Sequence, residues 1–592
     1  MSVNRSNADE MDHEYPKLEV LRRTAGYMRP YLARITLVVL LMLLSSVILT
    51  ALPFLLGNAV DRQIAGGDGA GLVRLAAVYI ALVLLWWLMY VARVRLMASV
   101  SNAVVLRIRD EAYAHVLSLD LQFFDSRPNG KILSRLVGDA GSLNNMLKQL
   151  VTNIVPNIFF LILLIAAMFV MNPVLALSVF ACLPVAMLGA FCVLSVSYPR
   201  WRAYRQKQGN IAGYCQEVFS GAKIVQSCNA QGECTGQFDR INEETGQVWK
   251  KAVRVGDLIG IVIDLSQGLG YLALFALSIH LLRMDGSSVG QLIAFTSFIS
   301  LFWQPVRALA NMYNQLGNDL AGAGRVFELL DRKAAVDDSR VTGPMEAVRG
   351  DVDFRSVSFA YPDEPERLVL KDLTFHVDAG SRVALVGPTG AGKTTIASLV
   401  ARFYDPVSGS VLVDGRPLDT IAQADLRRSI AVMTQDSWIF SGTIGENIAY
   451  ARRDASRQEI EEVARAIGIH DFIASLEDGY DTDVDKARLS SGQRQLVALA
   501  RTLLADPRIL ILDEATSSID TKSEIRVQQG IALLSRERTS FIVAHRLSTI
   551  RSCDVICVVQ DGGIAESGSH DELMARHGAY WRLHEAAQAG IC

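Results

Sequence analysis

A chain of 592 residues exceeds what one soluble core can organise, so more than one domain is expected. A formal net charge of −3 excludes the basic footprint of a nucleic-acid-binding protein, and a hydrophobic share of 51%, concentrated in the first half, points to membrane. Residues 1–16 are polar and carry no signal-peptide core, and the eight cysteines lack zinc-site spacing and read as reduced.

Between Leu18 and Tyr31, apolar positions interleaved with Arg22, Arg23 and Arg29 suggest an amphipathic helix lying on a membrane surface. The runs Ile35–Val60 and Leu75–Ala92 carry no charge until Asp61 and Arg93, and each is long enough to span. Gln149–Pro199 is also charge-free and too long for one crossing, and Asn172-Pro173 supplies a turn near its middle. Leu258–Leu282 and Ser287–Val306, separated by Arg283-Met284-Asp285-Gly286, complete six expected spans. The two long connections, Arg93–Lys148 and Arg200–Gly256, are rich in Lys and Arg. The positive-inside rule therefore places them and both termini in the cytosol. Their helical patterning implies spans that continue well past the bilayer, with tips near Pro128-Asn129-Gly130 and Asn229–Gly232 able to touch a cytosolic domain.

Asp264 lies inside the fifth span, where a carboxylate is costly unless it faces a cavity or a partner. It reads either as a contact for cation or substrate or as a helix–helix hydrogen bond. The aromatics Trp86, Trp87, Tyr90, Phe302 and Trp303 would line a site for apolar or cationic molecules or else pack against lipid. Residues 332–350 read as a polar linker, and beyond them strands and helices alternate as in a soluble α/β domain.

In that second half, Gly387-Pro388-Thr389-Gly390-Ala391-Gly392-Lys393-Thr394-Thr395 follows the apolar run Val383–Val386 and precedes a helical stretch. This is the phosphate-loop pattern in its strand–loop–helix setting. Gly387, Thr389, Gly390 and Gly392 let backbone N–H groups and the helix N-terminus cradle phosphate. Lys393 would reach the β- and γ-phosphates, Thr394 would hold Mg²⁺, and Thr395 completes the motif. Downstream, Ile509–Leu512 reads as a buried strand delivering Asp513 to the Mg²⁺ side, with Glu514 beside the place of an attacking water.

With these motifs the chain resembles a half-transporter of the ATP-binding cassette (ABC) exporter superfamily. Leu489-Ser490-Ser491-Gly492-Gln493 is similar to the family's LSGGQ signature. Tyr361 matches the aromatic that stacks on adenine, Gln435 the glutamine that touches Mg²⁺, Asp520 the D-loop acid and His545 the switch histidine. The resemblance implies a type I exporter-like membrane α-helical domain of six spanning helices with long cytosolic extensions, fused to a C-terminal α/β P-loop nucleotide-binding domain. The boundaries are then 1–17 for a polar tail, 18–331 for the transmembrane domain, 332–350 for the linker and 351–592 for the nucleotide-binding domain. It also implies ATP and Mg²⁺ as ligands, and two nucleotide domains head to tail, with each ATP held between one phosphate loop and the other signature, where Ser490, Gly492 and Gln493 face the γ-phosphate.

The chain departs from the family pattern at Ser491 and in Thr482–Arg488, where TEVGERG is common. That combination is similar to the subunit of heterodimeric exporters that keeps the catalytic glutamate, here Glu514, with His545. A heterodimer with a second half-transporter is accordingly favoured over a homodimer. The expected function is ATP-driven export of drugs, lipids or peptides, with membrane lipid and a small-molecule substrate as partners and no nucleic acid. The alternatives are an importer of a metal chelate on the exporter fold, disfavoured because no siderophore-handling domain precedes Leu18, and an ATP-gated channel or signalling subunit. The expected location is a bacterial inner membrane.

Overall fold

The apolar stretches fold as long helices, and the alternating pattern after residue 350 folds as two sheets. The computed structural model describes residues 15–181, 183–282, 288–345, 348–434, 437–513, 521–543 and 547–588. The chain divides into two units: one runs to Ala114 and resumes over Ile132–Asp331, and the other joins His115–Lys131 to Arg332 and all that follows.

In the helical unit, α1 (Lys17–Met28) is the expected amphipathic helix, with Val20 and Thr24 buried and Lys17, Glu19 and Arg22 exposed. α2 (Leu32–Asn58) is apolar on all sides, and its hydroxyls need no water. Ser45, Ser46 and Thr50 donate to carbonyls one turn back at 2.6, 3.0 and 2.9 Å. α3 (Gly69–Leu117) has 49 residues, about 70 Å of helix, more than twice the roughly 30 Å apolar thickness of a bilayer. α4 (Leu121–Asp125) belongs to the other unit. α5 (Asn129–Ser134) begins there and leads back into the helical one, where α6 (Ala140–Lys148), α7 (Val155–Met171) and α8 (Pro173–Phe180) follow. The Asn172-Pro173 turn lies where the sequence puts it, because Asn172 Oδ1 accepts from the N–H groups of Val174 and Leu175 at 3.1 and 3.2 Å and so caps α8. α9 (Leu183–Ser220), α10 (Ala222–Ser227), α11 (Gln231–Gly256), α12 (Leu258–Leu282) and α13 (Val289–Asp331) complete the unit.

Among the described residues, five helical stretches are long and apolar enough to cross a membrane. The expected fourth span is divided between α8 and α9 at Cys182, which lies outside the described residues, as does the Arg283–Gly286 turn. Phe160, Leu164 and Met168, one turn apart on α7, meet Phe295, Phe298 and Ile299 of α13 in one core. Phe302 and Trp303 belong to that core too, with Phe302 edge-on to Phe180 at 5.6 Å and to Trp303 at 5.5 Å. Their rings are spent on helix packing, which favours the packing reading of these two aromatics over the pocket reading. A second core joins Val20 of α1, Met97, Val104 and Ile108 of α3, Leu143 of α6 and Phe327 of α13. Beside it, Arg325 Nε donates to Asp139 at 2.8 Å.

In the other unit, β1 (Val352–Phe359), β2 (Leu370–Val377), β4 (Ser408–Val413) and β5 (Arg416–Pro417) form an antiparallel sheet in the order β2-β1-β4-β5. β3 (Arg382–Val386), β6 (Ile430–Met433), β7 (Ile509–Asp513), β8 (Thr539–Val543), β9 (Val555–Gln560) and β10 (Gly563–Gly568) form the second, in the order β10-β9-β3-β8-β7-β6. All its pairings are parallel except the edge pair β9–β10. Its inner strands β3, β7 and β8 and the next strand β9 read as largely apolar runs because both faces are covered. Val383, Leu385, Ile509, Ile511, Phe541 and Val543 face one core, and the alternate positions Ala384, Val386, Leu510, Leu512 and Ile542 face the other.

Candidate functional site

The parallel strands fix the site, since in such a sheet ligands bind beyond the carboxyl ends of the strands. Leu385 of β3 is level with Val543 of β8, which is level with Asp513 of β7, so the loop after β3 and the carboxylate of Asp513 emerge at one edge. The loop turns sharply into α14 (Lys393–Val400) through glycines with φ of 149°, 82° and 105° at Gly387, Gly390 and Gly392. A Cβ on Gly387 would stand 2.2 Å from the Val559 carbonyl oxygen, so both the conformation and the space demand glycine there.

Lys393 is buried, and its Nζ donates to the carbonyls of Gly387 and Pro388 at 2.8 and 3.0 Å. Burial pushes its pKa down, opposed by the charge of Asp513. A desolvated ammonium against the carbonyls of a glycine-rich loop at a helix N-terminus is suited to a polyanion, which would restore what burial takes away. Thr394 is exposed at the first turn, and Thr395 is buried with its hydroxyl 3.0 Å from that of Tyr361. The residues present thus fit a nucleoside triphosphate, and Thr394 and Asp513 have the oxygen chemistry to hold a divalent ion.

Tyr361 stands edge-on to Phe359 at 5.0 Å and to Tyr404 at 5.5 Å, which holds its ring upright at the rim. The space in front is a cavity of about 680 Å³ walled by Tyr361, Thr389, Lys393 and Thr394, and also by Gln122 and Asp125. Those last two were missed in the sequence as site residues. They arrive with the 115–131 segment, whose seat is α4, a few residues before the expected tip at 128–130. Asp120 caps α4, and Phe123 is buried under the guanidinium groups of Arg127 and Arg332, at 4.9 and 5.6 Å from the ring centroid. Asp125 accepts from the hydroxyl of Tyr404 at 2.6 Å, and burial together with that carboxylate raises the phenol's pKa.

The signature residues lie on a separate element of the same unit. Ser490 is the N-cap of the helix Ser491–Ala505: its hydroxyl accepts from Gln493 N–H at 3.2 Å while Gln493 Oε1 accepts from Ser490 N–H at 2.8 Å. Gly492 is buried. The cap consumes the Gln493 N–H but leaves the Ser490 proton directed elsewhere. Ser490→Ala should destabilise this helix by about 1 kcal/mol, seen as a lowered unfolding midpoint that Ser490→Thr largely restores. Ahead of it, the departing segment forms a short helix, Val484–Ala487, that ends at Arg488 with φ 44°, a left-handed position that glycine occupies without strain. Gln435, Glu514, Asp520 and His545 lie outside the described residues.

A family model described as ABC transporter transmembrane region matches residues 35–306, and one described as ABC transporter matches residues 370–517. The chain is similar to the fatty acid ABC transporter ATP-binding/permease protein of Mycobacterium bovis, 37% identical over 532 residues, 89% of this chain and 83% of that one. It is similar also to the ATP-dependent lipid A-core flippase of Syntrophus aciditrophicus, 32% identical over 578 residues, 96% and 94% of the two chains. Among solved structures, a bacterial Atm1-family ABC exporter with ATP bound superposes with a TM-score of 0.79 at 30% identity, covering 95% of this chain and 98% of that one.

Proposed function

The chain belongs to the ABC exporters as a half-transporter, and from that premise we propose that it forms one half of a dimeric pump that moves lipids, drugs or other amphipathic compounds outward by alternating access. The ATP-binding domain makes it an ATPase coupled to transport. The observation that carries the reading is the buried Lys393 ammonium facing a nucleotide-sized cavity, on the same chain as helices long and apolar enough to span a bilayer. In the proposed arrangement six helices cross the membrane, residues 18–331 form the transmembrane domain and 351–592 the nucleotide-binding domain. Both termini are cytosolic at a bacterial inner membrane.

Within each site the phosphate loop binds and orients ATP, Tyr361 packs on the adenine, and Lys393 neutralises charge growing on the leaving and transferred phosphates. Thr394, Gln435 and Asp513 would hold Mg²⁺, which supplies further charge neutralisation. Glu514 takes the proton from the attacking water, and His545 and Asp520 organise the γ-phosphate side. Ser490, Gly492 and Gln493 complete the site of the partner. The altered Asp485–Arg488 segment favours a heterodimer, in which this chain's Glu514 and His545 serve the hydrolysing site.

Glu514→Gln should lower ATP turnover by roughly 10²- to 10³-fold, within the range of a lost general base, and abolish ATP-dependent movement of a fluorescent fatty acid in proteoliposomes. Flux that survives loss of turnover would replace the pump by a gated channel.

A further inference from the structure

Two short helices, His570–Arg576 and Ala579–Gln588, follow the last strand of the sheet-bearing unit. Tyr580 and His584 lie one turn apart on the second helix and so share a face. The imidazole of His570 stands 5.7 Å from the Tyr580 ring and 5.6 Å from that of His584, and those two are 6.2 Å from each other. Three rings therefore close on one another. Tyr580 is 2% exposed and shares a core with Ile550, Cys553 and Leu573. Glu566 accepts from the Tyr580 N–H at 3.0 Å and holds the start of the second helix in place.

The cluster is arranged for neutral imidazoles. The Tyr580 hydroxyl and His570 Nδ1 lie 2.8 Å apart, and burial raises the phenol's pKa, so the hydroxyl keeps its proton and donates to an unprotonated Nδ1. A protonated ring would have to donate instead, and would turn the Tyr580 proton into the core. Burial, Arg551 and His584 all push the His570 pKa down, against the charge of Asp571. His570 also opens its helix, where the dipole disfavours a cation. His584 Nδ1 is buried with no hydrogen-bond partner among the described residues, so an imidazolium there would bury an N–H that nothing receives. The other charged groups of these elements are engaged elsewhere or exposed. Glu572 accepts from the Ser569 N–H at 3.0 Å, Arg576 donates to the Ser567 carbonyl at 3.3 Å, His577 packs on Trp581, and Arg582 and Glu585 are exposed.

We propose that the helix Ala579–Gln588 is an acid-released latch, closed by two neutral imidazoles and opened when they take up protons, and that its opening slows ATP turnover. The route to the nucleotide is short in the chain. Arg551, the cation that acts on His570, ends the helix Leu547–Arg551, which begins two residues after the proposed switch histidine His545. A proton on His570 sets like charges against each other, and the element that carries Arg551 is directly continuous with the His545 segment. A histidine whose pKa is lowered by folding supports the fold above its free value and withdraws that support as pH falls, so the latch is whole above about pH 7 and weakens below about pH 6.5. The device governs the ATPase and does not depend on what is transported.

The test uses the purified transporter in its native dimer, in nanodiscs, with amide hydrogen exchange of Ala579–Gln588 and ATPase at saturating Mg-ATP followed from about pH 7.5 to about pH 5.5. Relative to an unstructured peptide at the same pH, these amides should lose protection by roughly threefold or more on acidification, and regain it on return. Turnover should fall alongside. His570→Gln keeps a hydrogen-bonding group for Tyr580 without a titrating charge, and should hold both the protection and a larger share of turnover at the acid end. The pair His470–Tyr480 has the same 2.8 Å contact but no second imidazole against it among the described residues, so His470→Gln should follow the parent in both profiles. If His570→Gln fails to assemble, exchange on the parent and on His584→Gln still reads the latch. Protection that does not change with pH, a turnover profile that is the same in His570→Gln as in the parent, or equal flattening by His470→Gln would overturn the proposal.

Discussion

Lys393→Ala is expected to lower ATP turnover at least about 100-fold, the usual consequence of removing one preorganised charge donor from a reacting anion, while leaving the fold intact. The side chain is buried and its ammonium is desolvated, held by the Gly387 and Pro388 carbonyls, so without nucleotide it contributes little net stability. Two thermal melts separate the roles. Without nucleotide the variant should melt at or slightly above the parent temperature. With saturating Mg-ATP the parent should gain several degrees by mass action and the variant little or nothing. A variant that melts early without nucleotide would mean that the lysine holds the loop together rather than the phosphate.

Arg402→Met should be the most damaging single change to stability away from the nucleotide. Arg402 is 2% exposed, yet its guanidinium donates to the Ile421 and Asp337 carbonyls, each at 2.8 Å, and its Nε to Asp405 at 3.3 Å. Methionine fills much of the volume but orphans the buried Ile421 carbonyl and removes the donor to the Asp337 carbonyl and the Asp405 carboxylate. The expected loss is about 3–5 kcal/mol, the range for one partner removed from a buried ionic cluster. For a unit of this size it should lower the unfolding midpoint of the sheet-bearing unit by roughly 6–20 °C in scanning calorimetry. Asp405 reports the change independently: burial raises its pKa and Arg402 opposes the rise, so in the variant it should move further up. Arg402→Lys keeps the charge but cannot reach three acceptors at once, and should fall between.

Much of this was readable because the physics is local. Charge-free runs longer than a bilayer is thick can only be buried helices, and the glycine loop between an apolar strand and a helix is constrained by φ and by contact with Val559. Asn172 announced its own cap. What could not be read depends on contacts distant in sequence. Nothing near Asp125 announces that it accepts from Tyr404, 279 positions away. Phe302 and Trp303 read as either pocket or packing aromatics in the sequence, and only the placement of Phe180 beside Phe302 decides for packing. Asp264 was legible as unusual, but its partner Arg307 lies 43 residues on and only the antiparallel register of two helices joins them. Segment 332–350 reads as a polar linker, and its ties, Asp337 and Asp338 to Arg402 and Asp338 to the backbone N–H of Gln423, could not be read from the sequence.

The attachment of residues 115–131 to the nucleotide-binding unit also bears on how such a protein can evolve. The ATP-hydrolysing part is not a contiguous cassette in the gene: two walls of its cavity, Gln122 and Asp125, are encoded more than two hundred codons upstream of the loop they face. Recombination that exchanged everything after residue 331 for the corresponding part of a relative would import a Tyr404 matched to another protein's acceptor. Successful chimaeras should therefore be those that inherit the upstream segment and the downstream tyrosine from the same parent.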